Sequence, residues 1–414
     1  MKVLLLGGGG REHALGWKLA QSDRLTELIS APGNPGLADV GSVVPTLDPA
    51  DVEAVAAFAA ANSIDLVVVG PEAPLAAGVV DALEAKDIAV FGPTRAGARL
   101  ESSKSFAKDI MVRAGVPTAE AHTFTDVESA ADHLASVDGP LVVKADGLAA
   151  GKGVLVTEDL IAAQAWARLC LEGHFGAAGS TVVVEEYLDG TEVSVFALCD
   201  GDRAVSLHPA RDYKRLRDGD EGPNTGGMGC FSPVRELPAD LVQRTIEIAI
   251  DPVLATLASE GIRYRGFLYA GLMLTDDGIK VLEFNCRMGD PETQVLMPRL
   301  DEDLLSLLAD PLPHRDLRWS ETAAVDVVLA SAGYPESPRI GHPIGGLETL
   351  EQVDDVLVFH AGTRITRDYL MTSGGRVLNI VGLGEGVEAA RAAAYEGVQH
   401  VYFDGMQYRR DIAG

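Results

Sequence analysis

Apolar residues fall along the first hundred positions in short unbroken runs, Val3–Leu6, Leu28–Ser30, Asp65–Val69 and Ile88–Phe91. Between them lie longer stretches of mixed apolar and polar residues, from about Glu12 to Gln21 and from Leu75 to Lys86. The runs predict strands and the stretches predict helices. Strands alternating with helices imply a parallel, doubly wound sheet, whose ligands sit beyond the strands' carboxyl ends. Here those ends carry Gly7–Arg11 and Gly70-Pro71-Glu72.

The pattern changes after residue 101. A helix is expected from Ser102 or Ser103, either of which suits its N-cap, to Ala114, ended by Gly115 and Pro117. Pro140–Lys144 and Val154–Val156 read as strands around a small-residue loop. Thr181–Leu188 reads as a strand running into two acids, and Glu192–Ala197 as its successor. Tyr264–Thr275 and Lys280–Asn285 form a hairpin about Asp276-Asp277-Gly278. After a helix near Asp303–Ala309 and a linker at Trp319–Thr322, strands are expected at Ala323–Ala332, Val356–Gly362 and Arg376–Gly382. An alanine-rich helix at Val387–Gly397 and a short strand at His400–Phe403 complete a small α+β unit.

At 414 residues, 47% of them hydrophobic, the chain has room for two to four domains at roughly 100–200 residues each. The net charge of -27 argues against unspecific nucleic-acid binding and against anionic membranes. An acidic chain that binds phosphate must concentrate its Lys and Arg locally, so their positions carry information. The four cysteines are scattered without a CxxC pair, which suggests neither a disulfide framework nor a zinc site. The apolar run at the start is too short for a signal peptide, and no membrane-length apolar run occurs. A cytoplasmic location is the resulting expectation.

Candidate chemistry lies at several turns. The glycine run invites a dinucleotide-binding reading, yet the third glycine of GxGxxG falls on Glu12 or His13. A glycine turn at a helix N-terminus still suits a phosphate or other anion, and Arg11 adds a positive charge. Lys144 ends one strand, and the loop Ala145–Gly153 with Lys152 has the layout of a lid over phosphates, although it is not a Walker A loop. The acidic segment before Asp189-Gly190 could pair its backbone with a base edge, and a glutamate there could hold ribose hydroxyls. Three glycines among Gly226 to Gly229 exclude regular helix or strand and favour a substrate loop stiffened by Pro223 and Asn224. Glu283 and Asn285, two apart on a strand, share a face and offer hard oxygen ligands to a magnesium ion held partly by nucleotide phosphates. The turn behind them adds Arg287, Asp290 and Glu292. His360 reads as structural.

Lys104, Lys144, the glycine loop, the Glu185-Glu186-Tyr187-Leu188 hinge with Glu192, and Glu283-x-Asn285 occur in the order seen in ATP-grasp ligases, which the chain therefore resembles. The fuller set GGGGREHA, VVGPEAPL, VVKADGLAAGKGV, GPNTGGMG and EFNCRMGDPETQ closely resembles the glycinamide ribonucleotide synthetases (phosphoribosylamine–glycine ligases) over nearly the whole length. The resemblance implies an N-terminal α/β substrate domain at 1–101 and a two-lobed ATP-grasp core, with its small lobe at 102–190 and large lobe at 191–320. A C-terminal α+β domain follows at 321–414. It implies ATP, glycine and 5-phosphoribosylamine as substrates, Mg2+ or Mn2+ as the metal, and a monomer or weak homodimer. By the same resemblance Lys104, Lys144, Asp146, Gly147, Gly151, Lys152 and Gly153 meet ATP phosphates. Glu185, Glu186, Tyr187 and Leu188 line adenine, and Glu192 meets the ribose. Glu283 and Asn285 hold metal, and Arg287, Lys214 and Asp212 are the catalytic set. Asn224, Thr225, Gly226, Gly227, Met228, Asp290 and Glu292 surround glycine and the sugar phosphate, with Gly8, Gly9, Gly10, Arg11, Pro71 and Glu72 closing the sugar-phosphate side. Many ATP-grasp enzymes carry a further acid on the preceding strand, where this chain has Ala270-Gly271-Leu272-Met273, which puts a second metal ion in doubt. The alternatives are another ATP-grasp carboxylate–amine ligase, a purine-pathway carboxylase subunit or, from the glycine run alone, an NAD-dependent protein.

Overall fold

A computed structural model describes residues 1–149, 152–350 and 353–414. The N-terminal sheet is parallel throughout. Its strands are β1 (Lys2–Gly7), β2 (Glu27–Pro32), β3 (Ser42–Val43), β4 (Leu66–Val69) and β5 (Val90–Phe91), in the order β3-β2-β1-β4-β5. The central strands are apolar at successive positions because both faces are covered. Leu4, Leu6, Val67 and Val69 enter one core, and Val3, Leu5, Leu66 and Val68 enter another.

Helix boundaries depart from the sequence reading in instructive ways. The first helix spans Gly10–Leu19, two residues earlier than expected, because the Glu12 carboxylate reaches back to the Gly9 N–H at 2.7 Å and closes the first turn. The stretch read as one helix at Leu75–Lys86 is two, Glu72–Ala77 and Val79–Glu84. They are broken at Gly78, which adopts φ +92°. Helices at Val52–Ala61, Val127–Ala135 and Leu160–Leu169 were not foreseen, although each has an aspartate N-cap (Asp51, Asp126 and Asp159). Ser103, not Ser102, caps the helix Lys104–Ala114, since Ser102 ends a preceding helix, Arg95–Ser102.

An antiparallel sheet follows, built from β6 (Ala121–Phe124), β7 (Leu141–Ala145), β8 (Val154–Thr157) and β9 (Val182–Glu186) in the order β6-β9-β7-β8. A second antiparallel sheet holds β10 (Thr191–Asp200) and β11 (Arg203–Ser206). It is completed by the hairpin of β16 (Arg265–Thr275) and β17 (Gly278–Asn285), after the short strands β12 (Arg211–Asp212), β13 (Arg215–Arg217), β14 (Glu221–Asn224) and β15 (Gly229–Ser232). The C-terminal strands are β18 (Ala323–Ala330), β19 (Val356–His360), β20 (Thr363–Thr366), β21 (Tyr369–Thr372) and β22 (Arg376–Gly384). Their five-stranded sheet runs β12-β15-β18-β22-β19, so two segments from the 211–232 region join it.

Two expectations are corrected here. The segment Gly226–Met228 is a loop, but Gly229 opens β15, where a Cβ would lie 2.6 Å from the Asp326 carbonyl oxygen. The glycine is there for close strand approach, not for irregular backbone. His400–Phe403 is not a strand: the last helix runs Val387–His400, and Tyr402 makes only an isolated bridge to Gly345. No helix among the described residues is long and apolar enough to cross a membrane.

Candidate active site

The end of β7, the start of the helix Lys104–Ala114 and the end of β17 line one cavity. Its lining includes Lys104, Lys108, Lys144, Gly153 and Glu185 together with Glu283, Asn285, Arg287, Glu72 and Glu101. The hairpin of β16 and β17 fixes the acidic side: Gly271 pairs directly with Glu283, and Tyr269 with Asn285. With glycine opposite, no carboxylate faces Glu283 across the hairpin. Glu283 is half-buried, and desolvation opposes its ionisation, yet Lys214, Lys144 and Lys104 hold its pKa below the usual value. Its carboxylate is therefore held in the charged form, and accepts from the Asn285 Nδ2 at 3.4 Å.

The lysine side is equally packed. Glu185 is 3% exposed and sits 2.8 Å from Lys144 Nζ and 3.4 Å from Lys108 Nζ. Lys108 also donates to Thr118 Oγ1 at 2.8 Å and to the Ala119 carbonyl oxygen at 3.2 Å. Lys104 Nζ donates to the carbonyl oxygens of Asp146 and Gly147 at 3.3 and 3.1 Å. The Asp146 side chain turns the other way. It accepts from the Ser105 N–H at 2.6 Å and from Ser103 Oγ at 3.1 Å, so it anchors the helix start that carries Lys104. Glu186 is exposed and paired with Lys280 at 3.0 Å, and Tyr187 is exposed. Leu188 is buried and Lys152 exposed, while Gly151 lies outside the described residues.

Arg287 is held by two carboxylates. Its Nη2 is 2.9 Å from Glu101 Oε1 and its Nε is 3.4 Å from Glu72 Oε2. Burial works against its charge, but Glu101 and Glu72 more than compensate and raise its pKa. Glu101 also accepts the Cys286 N–H at 2.7 Å, which fixes the turn after β17.

A second cluster adjoins the first. Lys214 pairs with Glu192, and burial pushes the Asp212 carboxyl up to about 7 despite Lys214 nearby. Ser194 Oγ bridges Glu292 Oε1 at 3.2 Å and the Tyr269 hydroxyl at 3.1 Å. A third convergence joins the Gly8–Gly10 turn, the 225–228 loop and the turn at Asp290; Pro223 and Asn224, expected in that loop, belong to β14, whose pairing with β13 holds them. Gly227 adopts φ +114°, and a Cβ there would lie 2.4 Å from Pro291 Cδ. Arg376, from β22, donates to the carbonyl oxygens of Gly226 and Asp290 at 2.6 Å each, with Nη2 3.3 Å from Asp290 Oδ2. Arg11 does not present a free charge to this turn. Its guanidinium is buried, 2.6 Å from Glu12 Oε1, and donates to the Met288 carbonyl oxygen at 3.2 Å. His360 is structural in geometry: its backbone N–H donates to His13 Nδ1 at 2.8 Å and its carbonyl accepts from Asn34 Nδ2 at 2.7 Å.

Glu101, Lys108 and Arg376 were missed in the sequence. Lys108 was within reach, because it stands four residues after Lys104 and so on the same helix face. Arg376 opens an apolar strand and gives no local signal. At the glycine run the space a dinucleotide would use is taken by Glu12. Cβ atoms on Gly7 and Gly70 would lie 2.4 and 2.3 Å from Glu12 side-chain atoms, so the Glu12 carboxylate fills the crevice at the strand ends.

Comparisons with known proteins agree with this geometry over the full length. The families described as phosphoribosylglycinamide synthetase N domain, ATP-grasp (A) domain and C domain match residues 1–101, 102–293 and 324–414. The phosphoribosylamine–glycine ligase of Mesorhizobium japonicum is 49% identical over 416 residues, covering 100% of this chain and 97% of that protein. A crystal structure of the phosphoribosylamine–glycine ligase of Thermotoga maritima superposes with a TM-score of 0.87 at 37% identity, covering 100% of both chains. The N5-carboxyaminoimidazole ribonucleotide synthetase of Thermotoga maritima shares the fold, with a TM-score of 0.64 at 17% identity over 97% of this chain and 99% of that one. With matches to all three parts and a relative at nearly half identity end to end, the chain belongs to the phosphoribosylglycinamide synthetase family.

Proposed function

We propose that the chain joins glycine to 5-phosphoribosylamine in an ATP-dependent ligation of purine biosynthesis, giving glycinamide ribonucleotide, ADP and phosphate. The reading rests on one observation above others: Lys104 and Lys144 line a single cavity together with Glu283, Asn285 and Arg287 in a chain of this family. A carboxylate does not react with an amine unaided. A glycine carboxylate oxygen attacks the γ-phosphorus of ATP, the bond to the β,γ-bridging oxygen breaks, and ADP leaves. The amine of phosphoribosylamine then attacks the acyl carbon of glycyl phosphate, the C–O bond to phosphate breaks, and the amine loses a proton. No protein nucleophile is needed, so the protein's task is positioning and charge stabilisation.

Lys104 and Lys144 would neutralise ATP phosphates, under the loop that includes Asp146, Gly147, Lys152 and Gly153. Asp146 acts there by holding the Lys104 turn. Glu185 to Leu188 would border the adenine and Glu192 the ribose. Arg287 would balance charge on the transferred phosphoryl group. Asp212, Lys214 and Glu292 would enclose glycine, and Asp290, Asn224, the 225–228 loop, Gly8–Arg11 and Pro71-Glu72 the sugar phosphate. Glu283 and Asn285 fit a hard divalent cation, because one is an ionised carboxylate and the other an amide beside it. No group of three acidic, His or Cys side chains suited to a metal occurs among the described residues, so phosphate oxygens would complete the shell. Mg2+, or Mn2+ in its place, would supply charge neutralisation at the phosphates. Phosphate release measured while omitting ATP, glycine and phosphoribosylamine in turn tests the reading. Release that persists without glycine, or without the amine at the full rate, overturns it.

A further inference from the structure

The Asp290 carboxylate is gripped at both oxygens. Oδ2 faces Arg376 at 3.3 Å, and Oδ1 accepts from Gln294 Nε2 at 2.7 Å. Gln294 is completely buried and spends its second amide hydrogen on Asn379 Oδ1 at 3.2 Å. Asn379 is 1% exposed and donates in turn to the Phe359 carbonyl oxygen at 3.2 Å. This amide pair lies directly against the glycine turn: a Cβ on Gly10 would come within 2.4 Å of Asn379 Nδ2 and 2.6 Å of Gln294 Nε2. With both hydrogens of Nε2 committed, the orientation of the Gln294 amide is fixed and its Oε1 is left without a partner.

An unpartnered acid stands on the same sheet as Asn379, without a hydrogen bond to Gln294 or Asn379. Asp326 lies in the middle of β18, whose eight residues are all buried, and neither of its carboxyl oxygens has a partner. It pairs with Val381 across the ladder while Val328 pairs with Asn379. Asp326 and Asn379 therefore share a face in diagonal register. An ionised carboxylate in that place would be prohibitive. Burial, reinforced by Asp290, raises its pKa well above the usual value, which leaves a neutral acid with a proton to give.

We infer that Gln294, Asn379 and Asp326 form a buried positioning set, touching no substrate, that fixes the Asp290 carboxylate between Arg376 and the Gly8–Gly10 turn for recognition of the sugar-phosphate amine. The inference rests on the reading of Asp290 as a substrate-binding residue. It explains why two amides and an acid with no reactive role are kept inside an otherwise apolar core.

The test uses the full-length protein and measures KM for each substrate by phosphate release, with thermal melting of every variant. Asn379→Leu and Gln294→Met should each raise KM for phosphoribosylamine by about tenfold or more, as misplacement of a binding group does. KM for ATP and glycine should stay near the wild-type values. Asp326→Asn, which keeps donor hydrogens in the same shape, should behave as wild type, whereas Asp326→Leu should match Asn379→Leu. Should the leucine variants fail to fold, Gln294→Met and Asp326→Asn carry the test alone. An unchanged KM for phosphoribosylamine in Gln294→Met, an equal rise in all three KM values, or an Asp326→Asn as impaired as Gln294→Met would overturn the inference. Asp290→Asn separates the two levels. If it leaves KM for phosphoribosylamine unchanged, the reading of Asp290 itself is wrong. If it raises that KM while the positioning variants do not, only the positioning set fails.

Discussion

The Glu185 carboxylate lies 2.8 Å from the Lys144 ammonium, with both groups buried, and the same carboxylate is shared with Lys108 at 3.4 Å. One acid thus divides its field between two lysines. Burial lowers the Lys108 pKa to about 8, even though Glu185 supports its charge. Below that pH Lys108 is charged and relieves Lys144 of part of the Glu185 attraction. Above it Lys108 is neutral, Glu185 attracts Lys144 alone, and less of that charge is left for ATP phosphates. KM for ATP is therefore expected to rise as pH passes about 8, and in Lys108→Met to be raised already below pH 8, with no further rise through it. In Lys108→Arg, whose guanidinium stays charged, the rise through pH 8 should vanish. A flat wild-type KM between pH 7 and 9 would contradict the shared-acid account.

Arg287 tests where binding ends and catalysis begins. Its charge faces Glu101 and Glu72, and it lines the cavity beside Asn285. If it balances charge that develops only in the transition state, Arg287→Ala should lower kcat far more than ATP affinity. Equal losses in both would place it in ground-state binding. Glu101→Gln should act on the fold as well, because it withdraws the charge of one partner from a cation that is only 20% exposed. A loss of about 1–2 kcal/mol in urea unfolding is expected, and a variant as stable as wild type would mean Glu72 alone suffices.

The sequence made the repeating units legible and left their junctions obscure. β1 and β4 were plain because a parallel sheet covered on both faces needs unbroken apolar runs, and Val3–Leu6 and Leu66–Val69 are such runs. The lysine side and the acidic hairpin end were found because their motifs are contiguous and their order is specific. Val52–Ala61 was missed because its many alanines blur the contrast between faces that reveals a helix. Glu101 and Arg376 were missed for another reason. Each acts on a residue far away in the chain, Arg287 and Asp290 respectively, and only the fold brings them together. The resemblance assigns Asp146 to ATP, and in the structure its carboxylate accepts from the Ser105 N–H. A loop's composition shows what it is near, not which way each side chain turns.

Glu283 is the most exacting point for the metal assignment. Gly271 stands opposite it, so its cross-strand partner offers no carboxylate in its place. Glu283→Gln keeps the shape and the oxygen but removes the charge that Lys214, Lys144 and Lys104 stabilise. Turnover should fall by on the order of a hundredfold or more, as for loss of a transition-state charge partner. The melting temperature without ligand should stay close to wild type. Raising Mg2+ should recover part of the lost rate, since a weaker site fills at higher concentration. Near wild-type activity at limiting Mg2+ would remove Glu283 from the metal site.

Glu12 decides between the two nucleotides that the N-terminal glycines bring to mind. Its carboxylate accepts from the Gly9 N–H at 2.7 Å, pairs with Arg11 at 2.6 Å, and lies where Cβ atoms on Gly7 and Gly70 would otherwise project. A dinucleotide's pyrophosphate at this helix start would have to displace a buried ion pair and meet a negative charge. ATP would meet no such obstacle on the proposed reading, in which Lys104 and Lys144 hold its phosphates in the cavity they line. ATP with Mg2+ should therefore raise the melting temperature. At a hundredfold excess over its Kd the gain is about 2.7 kcal/mol, since a ligand of the folded state stabilises it by mass action. NAD at the same concentration should produce no shift. Glu12→Ala should lower stability by about 3 kcal/mol, because it strands the buried Arg11 charge, while leaving the ATP-induced shift in place. A stabilisation by NAD in the wild-type protein would mean that Glu12 moves aside, and that the crevice at the strand ends is a nucleotide site after all.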